Sequence, residues 1–349
     1  MSFENNFKSF SQIIGQERAI KFIKKVIAGK KIPHAYLFTG ISGVGKKTTA
    51  IAFAQSINCY EPIDNEGCGQ CLLCRRMING NFPDLIFIEP DGQNIKIEQI
   101  RDLNRSLNFK PVVGKYRVTI INQAELMTEE AANAFLKTLE EPPPGNILIL
   151  KVIEPLDLLS TIVSRCQKIP FRPLPFWIIE EWLRREMDVD EDKASLIARV
   201  SEGGLGRAIH ILDSDFLEQR QNSLASILQL PALSKEQALE IAMEYSKKAK
   251  KRGHDTFQGD TGLYRLMGIW KTLYRDLILM KVNGPMKLLI NIDFSRKLKN
   301  LTKKYKVGNL IESFLLVDQS QRDLMRNPNV GLMMENTVLG LKRLSDLSE

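Results

Sequence analysis

Residues 40–50, GISGVGKKTTA, set Gly40, Gly43, Gly45 and Lys46 at the spacing of a loop that wraps a phosphate group. Glycines let successive backbone N–H groups turn inward around phosphate oxygens. Lys46 adds a charge, and the helix that starts there adds its dipole. The pattern then departs from its usual form. G-x-x-x-x-G-K is normally followed by Ser or Thr, whose hydroxyl holds Mg²⁺, and here Lys47 stands in that place. An ammonium group there repels a divalent cation or replaces its charge. Thr48 and Thr49 come one and two positions late.

A nucleotide-hydrolysing site also needs acidic residues at the end of a later strand, to bind the metal and orient the attacking water. The matching place, after VTII, reads Asn122-Gln123. Two neutral amides keep the shape of an Asp-Glu pair and lose its charge and basicity. Glu125 follows two residues on, where a loop is expected.

Four of the five cysteines fall within 59–74, as C-x8-C-x2-C-x2-C: Cys59, Cys68, Cys71 and Cys74. Four thiolates suit a closed tetrahedral Zn²⁺ site with a structural role, and no His or open position suggests chemistry at the metal. An iron–sulfur cluster uses the same ligand type. Cys59 ends the helix that begins at the glycine loop. The other three lie on a turn with Gly67 and Gly69.

These residues need a scaffold. Four near-continuous apolar runs, at 35–40, 84–90, 117–123 and 146–152, read as strands buried on both faces, and helical patterns alternate with them. Ile97, Ile100, Leu103 and Leu107 share one helix face; Ala132, Phe135, Leu136 and Leu139 share another, which PPPG ends. The expected fold is an α/β domain with a mostly parallel sheet. After FRPLP (171–175) strand signals vanish and helical patterns run to the C-terminus. Pro173 and Pro175 mark one boundary and LDSD (212–215) a second, giving segments 1–172, 173–213 and 214–349.

Bulk properties narrow the setting. Net charge is +8, which permits a polyanionic partner without requiring one. No run of about 18 apolar residues predicts a membrane span, and the polar start MSFENNFKSF lacks the apolar core of a signal peptide. A cytoplasmic protein with no membrane partner is expected. Lys247, Lys248, Lys250, Lys251 and Arg252 form a basic run that suits a solvated helix end or a nucleic-acid contact, without interleaved aromatics. Arg207 opens a helix after a glycine turn, where it suits a helix start or a phosphate contact. His34 and His210 read as structural.

IIGQERAI, HAYLFTGISGVGK, the four-cysteine insert, AANAFLKTLEEPPPG and SRC, in that order over residues 11–170, resemble the bacterial clamp-loader subunits of the DNA polymerase III holoenzyme. NPNVGLMMENTVLGL is similar to the end of the delta-prime type. The resemblance implies an AAA+ (P-loop NTPase-like) module carrying the zinc insert (1–172), a small helical lid (173–213) and a helical collar for oligomerisation (214–349). It implies a hetero-pentamer of gamma/tau and delta partners that loads the sliding clamp onto primed DNA.

Two subunit types share this layout: gamma/tau motors, and the delta-prime stator, which generally does not hydrolyse ATP. Motors carry Ser or Thr where Lys47 stands, Asp-Glu where Asn122-Gln123 stands, and a polar sensor where alignment places Val152. These three departures point to the stator, with an ATP-hydrolysing gamma-type motor as the alternative. On the same resemblance, Arg165 of SRC is an arginine finger acting in trans on the neighbour's ATP site. Arg207 matches the lid's second sensor. A nucleotide or phosphate held in the loop without turnover is compatible with this reading.

Overall fold

The computed structural model describes residues 9–251, 262–324 and 329–346. They divide into two units. One runs to Pro175 and includes Gly203–Arg207; the other holds Phe176–Glu202 and the chain from Ala208 onward.

The first unit is built from α1 (Glu17–Ala28), β1 (Ala35–Thr39), α2 (Lys46–Asn58), α3 (Leu72–Ile78), β2 (Leu85–Ile88), α4 (Ile97–Leu107), β3 (Arg117–Ile121), α5 (Glu129–Glu140), β4 (Asn146–Val152), α6 (Ser160–Val163) and β5 (Gln167–Pro170). The strands form one parallel sheet in the order β2-β3-β4-β1-β5. Side chains alternate across it. Tyr36, Phe38, Val118, Ile120, Ile147 and Ile149 pack with Ile23 of α1 and Phe53 of α2. Ala35, Leu37, Ile121, Leu148, Leu150 and Val152 pack with Ile100 and Leu103 of α4 and Phe135 of α5. Burial of both faces is why β1, β3 and β4 read as unbroken apolar runs rather than alternating ones, whereas β2, at one edge, is apolar but only part-buried. β5 escaped that reading because it is short and polar, Gln-Lys-Ile-Pro, with only Ile169 buried. An edge position also tolerates Pro170.

The second unit is helical among the described residues: α7 (Phe176–Met187), α8 (Glu191–Val200), α9 (Leu205–Leu212, whose first turn belongs to the first unit), α10 (Phe216–Gln229), α11 (Lys235–Lys251), α12 (Gly262–Lys281), α13 (Ser295–Thr302), α14 (Val307–Asp323) and α15 (Val330–Asp346). The helical pattern of 207–228 is two helices parted at Asp213-Ser214-Asp215, residues whose side chains compete with helix hydrogen bonding. Of the basic run, Lys247 is exposed; the side chains of Lys248, Lys250 and Lys251, and all of Arg252, lie outside the described residues. So do Asn327 and Pro328 of the C-terminal resemblance. No helix among the described residues is long and apolar enough to cross a membrane.

A buried polar knot ties this unit together. Arg220 of α10, 2% exposed, donates to both Asp293 carboxylate oxygens at 2.7 and 2.9 Å and to Asn291 Oδ1 at 2.7 Å. Asp276 of α12 accepts from the Asn291 backbone N–H at 2.7 Å, from Asn291 Nδ2 at 2.9 Å and from Arg275 at 2.8 Å. Removing one partner leaves the others desolvated. Arg220→Ala is expected to lower stability by about 3 kcal/mol, the low end for a broken buried pair because Asp293 keeps some solvent contact. Urea denaturation of the two proteins, compared by midpoint, measures the loss.

Candidate functional site

The glycine loop joins β1 to α2. Gly40 has φ +131°, and a Cβ there would lie 2.5 Å from the Phe171 carbonyl oxygen. Gly43 has φ +78°, and its Cβ would lie 2.6 Å from the Arg207 backbone nitrogen. Side chains are excluded at both positions. The second restriction has a purpose: Gly206 N–H donates to Gly43 O at 2.9 Å, so the turn that carries Arg207 seats directly on the loop. Gly45, φ +98°, leads into α2.

Lys46 is 8% exposed; its Nζ donates to Gly40 O and, at 3.0 Å, to Ile41 O. Burial lowers its pKa to about 8, against the opposing pull of the Glu125 carboxylate. The Lys47 ammonium lies 5.6 Å from the centre of the Phe87 ring. Thr48 is half-buried on the first turn of α2. The Thr49 hydroxyl is bonded to Gly45 O at 2.8 Å, within the helix backbone.

The carboxyl ends of β2, β3 and β4 meet beside this loop. Asn122 follows β3 directly. Its Nδ2 donates to Glu89 Oε2 at 2.6 Å, and its Oδ1 accepts from Lys151 Nζ. A carboxylate, an amide and an ammonium thus form a row along three strand ends. Gln123 turns away with φ 47°, starting a short 3-10 turn, Ala124–Leu126. Glu125 sits in that turn. Burial raises its carboxyl pKa, Lys46 opposes the shift, and its Oε2 is buried with no hydrogen-bond partner among the described residues.

Val152, the residue aligned with a polar sensor, is 1% exposed within the core. The β4 residue that faces the loop is Lys151, one position earlier and therefore on the opposite face. Sequence reasoning missed both Lys151 and Glu89. The available signal was a single Lys inside the apolar run NILILKV, which is hard to bury unless it points at something polar.

Arg165 lies elsewhere. Its Nη2 pairs with Glu140 Oε1 at 2.5 Å and its Nη1 donates to Thr161 O at 2.9 Å. Tyr36 pairs with Gln167, so Arg165 precedes β5 at the amino ends of the strands, while the glycine loop follows β1 at the carboxyl ends. The five residues of β1 lie between the two levels, about 17 Å at strand rise. Arg165 therefore stands at the opposite ends of the strands from its own loop.

The four cysteines do come together, at the far end of α2 from the loop. That helix has 13 residues and spans about 20 Å. Cys59 caps its C-terminus and Cys71 caps the start of α3. All four sulfurs lie within 4.8 Å of one another, with Cys59–Cys71 at 3.9 Å and Cys68–Cys74 at 4.0 Å. The Cys68 N–H donates to Cys59 Sγ at 3.3 Å, and the Cys71 N–H to Cys68 Sγ at 3.2 Å. Burial pushes the Cys71 thiol up, but backbone N–H bonds from Cys74 and Tyr60 and the neighbouring thiols outweigh it and bring it to about 6. This donor set can hold a metal ion. Glu66, in the same insert, accepts from Phe10 N–H at 3.0 Å and pairs with Lys24 of α1. His34 Nε2 is bonded to Leu139 O at 3.0 Å, a packing role.

Comparison with known proteins gives a consistent picture. Residues 15–175 match the family model described as DNA polymerase III, delta subunit. The DNA polymerase III subunit delta' of Bacillus subtilis is 31% identical, covering 94% of this chain and 96% of that protein. The subunit tau of the same organism is 36% identical over 58% of this chain, which spans only 37% of tau. The subunit delta' of Escherichia coli is 33% identical over 54% of this chain and 57% of its own length.

Proposed function

The chain belongs to the DNA polymerase III delta' subunit family, and on that premise we propose that it is the non-hydrolysing stator of a clamp loader. Its partners are gamma/tau and delta subunits in a hetero-pentamer, and through them the sliding clamp and primed DNA. The work is cytoplasmic, as replication is in a bacterium. The observation that carries this reading is the Glu89–Asn122–Lys151 row. Where a motor needs carboxylates for Mg²⁺ and for the attacking water, this chain has an amide bonded to an ammonium group. Lys47 in place of a metal-binding hydroxyl acts in the same direction. Arg165, turned away from its own loop, is the group that stabilises phosphate charge in the neighbouring subunit's site. Arg207 follows Gly206, whose N–H bonds the loop, and has no working site of its own to sense in this reading.

The four cysteines hold Zn²⁺ in this reading. At a zinc–sulfur distance of about 2.3 Å, a tetrahedron sets its sulfurs about 3.8 Å apart, close to the spacings of 3.9 and 4.0 Å. A multi-iron cluster spreads its cysteines over several irons and separates them further. Zinc here closes the insert onto the ends of α2 and α3, and is remote from nucleotide chemistry.

The test is ATP turnover by the isolated chain over a range of Mg²⁺ and protein concentrations. No turnover above background is expected. Turnover that disappears in Lys46→Ala would make the chain a motor of the gamma type instead.

A further inference from the structure

The loop and the strand ends beside it carry three ammonium groups. Lys46 and Lys151 are each 8% exposed, and Lys47 follows Lys46 on α2. Sheet order explains their convergence. β4 lies between β1 and β3, so the end of β4 brings Lys151 between the glycine loop and Asn122. Gly40 N–H donates to Ile153 O at 2.9 Å, which locks the loop's first residue to the chain just past Lys151.

Lys151 is buried without a direct counter-ion. Among the described residues its hydrogen bond goes to a neutral oxygen, Asn122 Oδ1, and the Glu89 carboxylate is held one step away on the other end of that amide. A desolvated ammonium in this state is costly, and an anion relieves the cost. The acidic groups at hand are Glu89 and Glu125, with Asp157 acting on Glu125 from beyond, and none of them bonds Lys151 directly. A divalent cation entering here would meet Lys46, Lys47 and Lys151 and no free pair of carboxylates.

We propose that this loop is a metal-independent polyphosphate site, in which Lys47 and Lys151 supply the charge that Mg²⁺ supplies in a motor subunit. The proposal rests on the reading of this site as non-hydrolysing. It goes further in naming the ligand chemistry, a di- or triphosphate chain bound free of metal, and in giving Lys151 a binding role. The backbone N–H groups of the loop and Lys46 take one phosphate. Lys151, reaching in from β4, takes the next. Nothing is transferred, because no base and no metal activates a water.

Acidity supplies an independent readout. Burial, together with the charge of Lys46, brings Lys151 down to about 8, Lys47 acting in the same direction and Glu89 and Glu125 opposing. Lys46, facing Glu125 and the loop carbonyls, is also brought to about 8. Both are cationic below that value and lose the proton above it. Affinity for a polyanion therefore falls as pH rises through 8.

The experiment is calorimetric titration of the full chain with ADP and, separately, with inorganic pyrophosphate, each in EDTA and in excess Mg²⁺. Binding in EDTA at least as tight as in Mg²⁺ is expected. Lys151→Met is expected to weaken binding in EDTA by about 10- to 100-fold, the ratio for losing a hydrogen bond to a charged group, and Lys151→Arg is expected to keep most of it. The Arg variant decides the matter if the Met variant fails to fold. ADP tighter than pyrophosphate identifies a nucleotide as the ligand, and equal affinities identify the phosphate chain alone. Binding that requires Mg²⁺, an unchanged affinity in Lys151→Met, or no binding of either compound overturns the proposal. These titrations use the chain alone and read no turnover, so their failure leaves the stator role standing. Conversely, hydrolysis of ATP by the chain alone would remove the stator role whatever the titrations give.

Discussion

Arg165→Ala lowers ATP hydrolysis at the neighbouring subunit's site by about a thousandfold or more, the scale of an arginine finger supplied in trans. The expectation follows from placement and from a comparison of energies. Arg165 stands at the amino ends of the strands, so its own loop is out of reach. Its ion pair with Glu140 is partly solvated, with side chains 35% and 50% exposed. Pairs of that kind contribute about 0–1 kcal/mol. A guanidinium held so loosely transfers readily to a desolvated phosphate, where the same charge is worth about 4 kcal/mol or more in the transition state, on the scale of 1.36 kcal/mol per factor of ten. The measurement needs a complex in which Arg165 is the sole finger. Gamma subunits whose own equivalent arginine has been replaced provide it, and single-turnover hydrolysis is then compared for Arg165, Ala and Lys. Lysine keeps the charge but lacks the planar fork, so it restores only a small part of the rate. A rate unchanged by Arg165→Ala would remove the trans role.

Much of the first unit was legible because burial on both faces of β1, β3 and β4 writes itself into sequence, and edge strand β2 happens to be apolar as well. Four strands appear as apolar runs, and α4 and α5 as stripes at helical spacing. The cysteine insert was legible because four thiolates in sixteen positions leave few other uses. What escaped depended on tertiary neighbours. β5 is short and has Ile169 as its one buried apolar side chain, so it leaves no apolar run. α3 is short and lies inside the insert. The side-chain face of Lys151 depends on where β4 starts, and a shift of one residue exchanges Lys151 with Val152. Glu89 becomes part of the site only because β2 is the neighbour of β3, an order that local patterns do not reveal. Arg165 shows the opposite limit. The motif drew attention to it, but only the register between β1 and β5 shows that it stands at the other ends of the strands from its own loop.

Removal of metal from the four-cysteine insert is expected to lower the thermal midpoint of the first unit by about 10 °C. The estimate begins from structural zinc sites in isolated peptides, whose binding free energy of about 10–16 kcal/mol is nearly all folding free energy. Here most of the unit has its own core, so only the part organised by the sulfurs is at risk. That part is not small. Cys59 ends the helix that starts at the glycine loop, Cys74 lies within α3, and Glu66 anchors the backbone at Phe10 and the side chain of Lys24. Without a metal, four sulfurs remain crowded within 4.8 Å, held only by backbone N–H groups and one another. A loss of about 3–5 kcal/mol corresponds to about 6–20 °C for a unit of this size. Cys74→Ser is expected to act like chelation, because it removes the most buried of the four ligands. Thiol titration during chelation discriminates the cause. Four cysteines should become reactive together as the metal leaves, while Cys166, buried in the sheet core, stays protected until the unit unfolds. A preparation that holds one metal per chain yet melts unchanged after chelation would show that α2 and α3 are held by their apolar contacts alone, and that the cysteines serve a purpose other than stability.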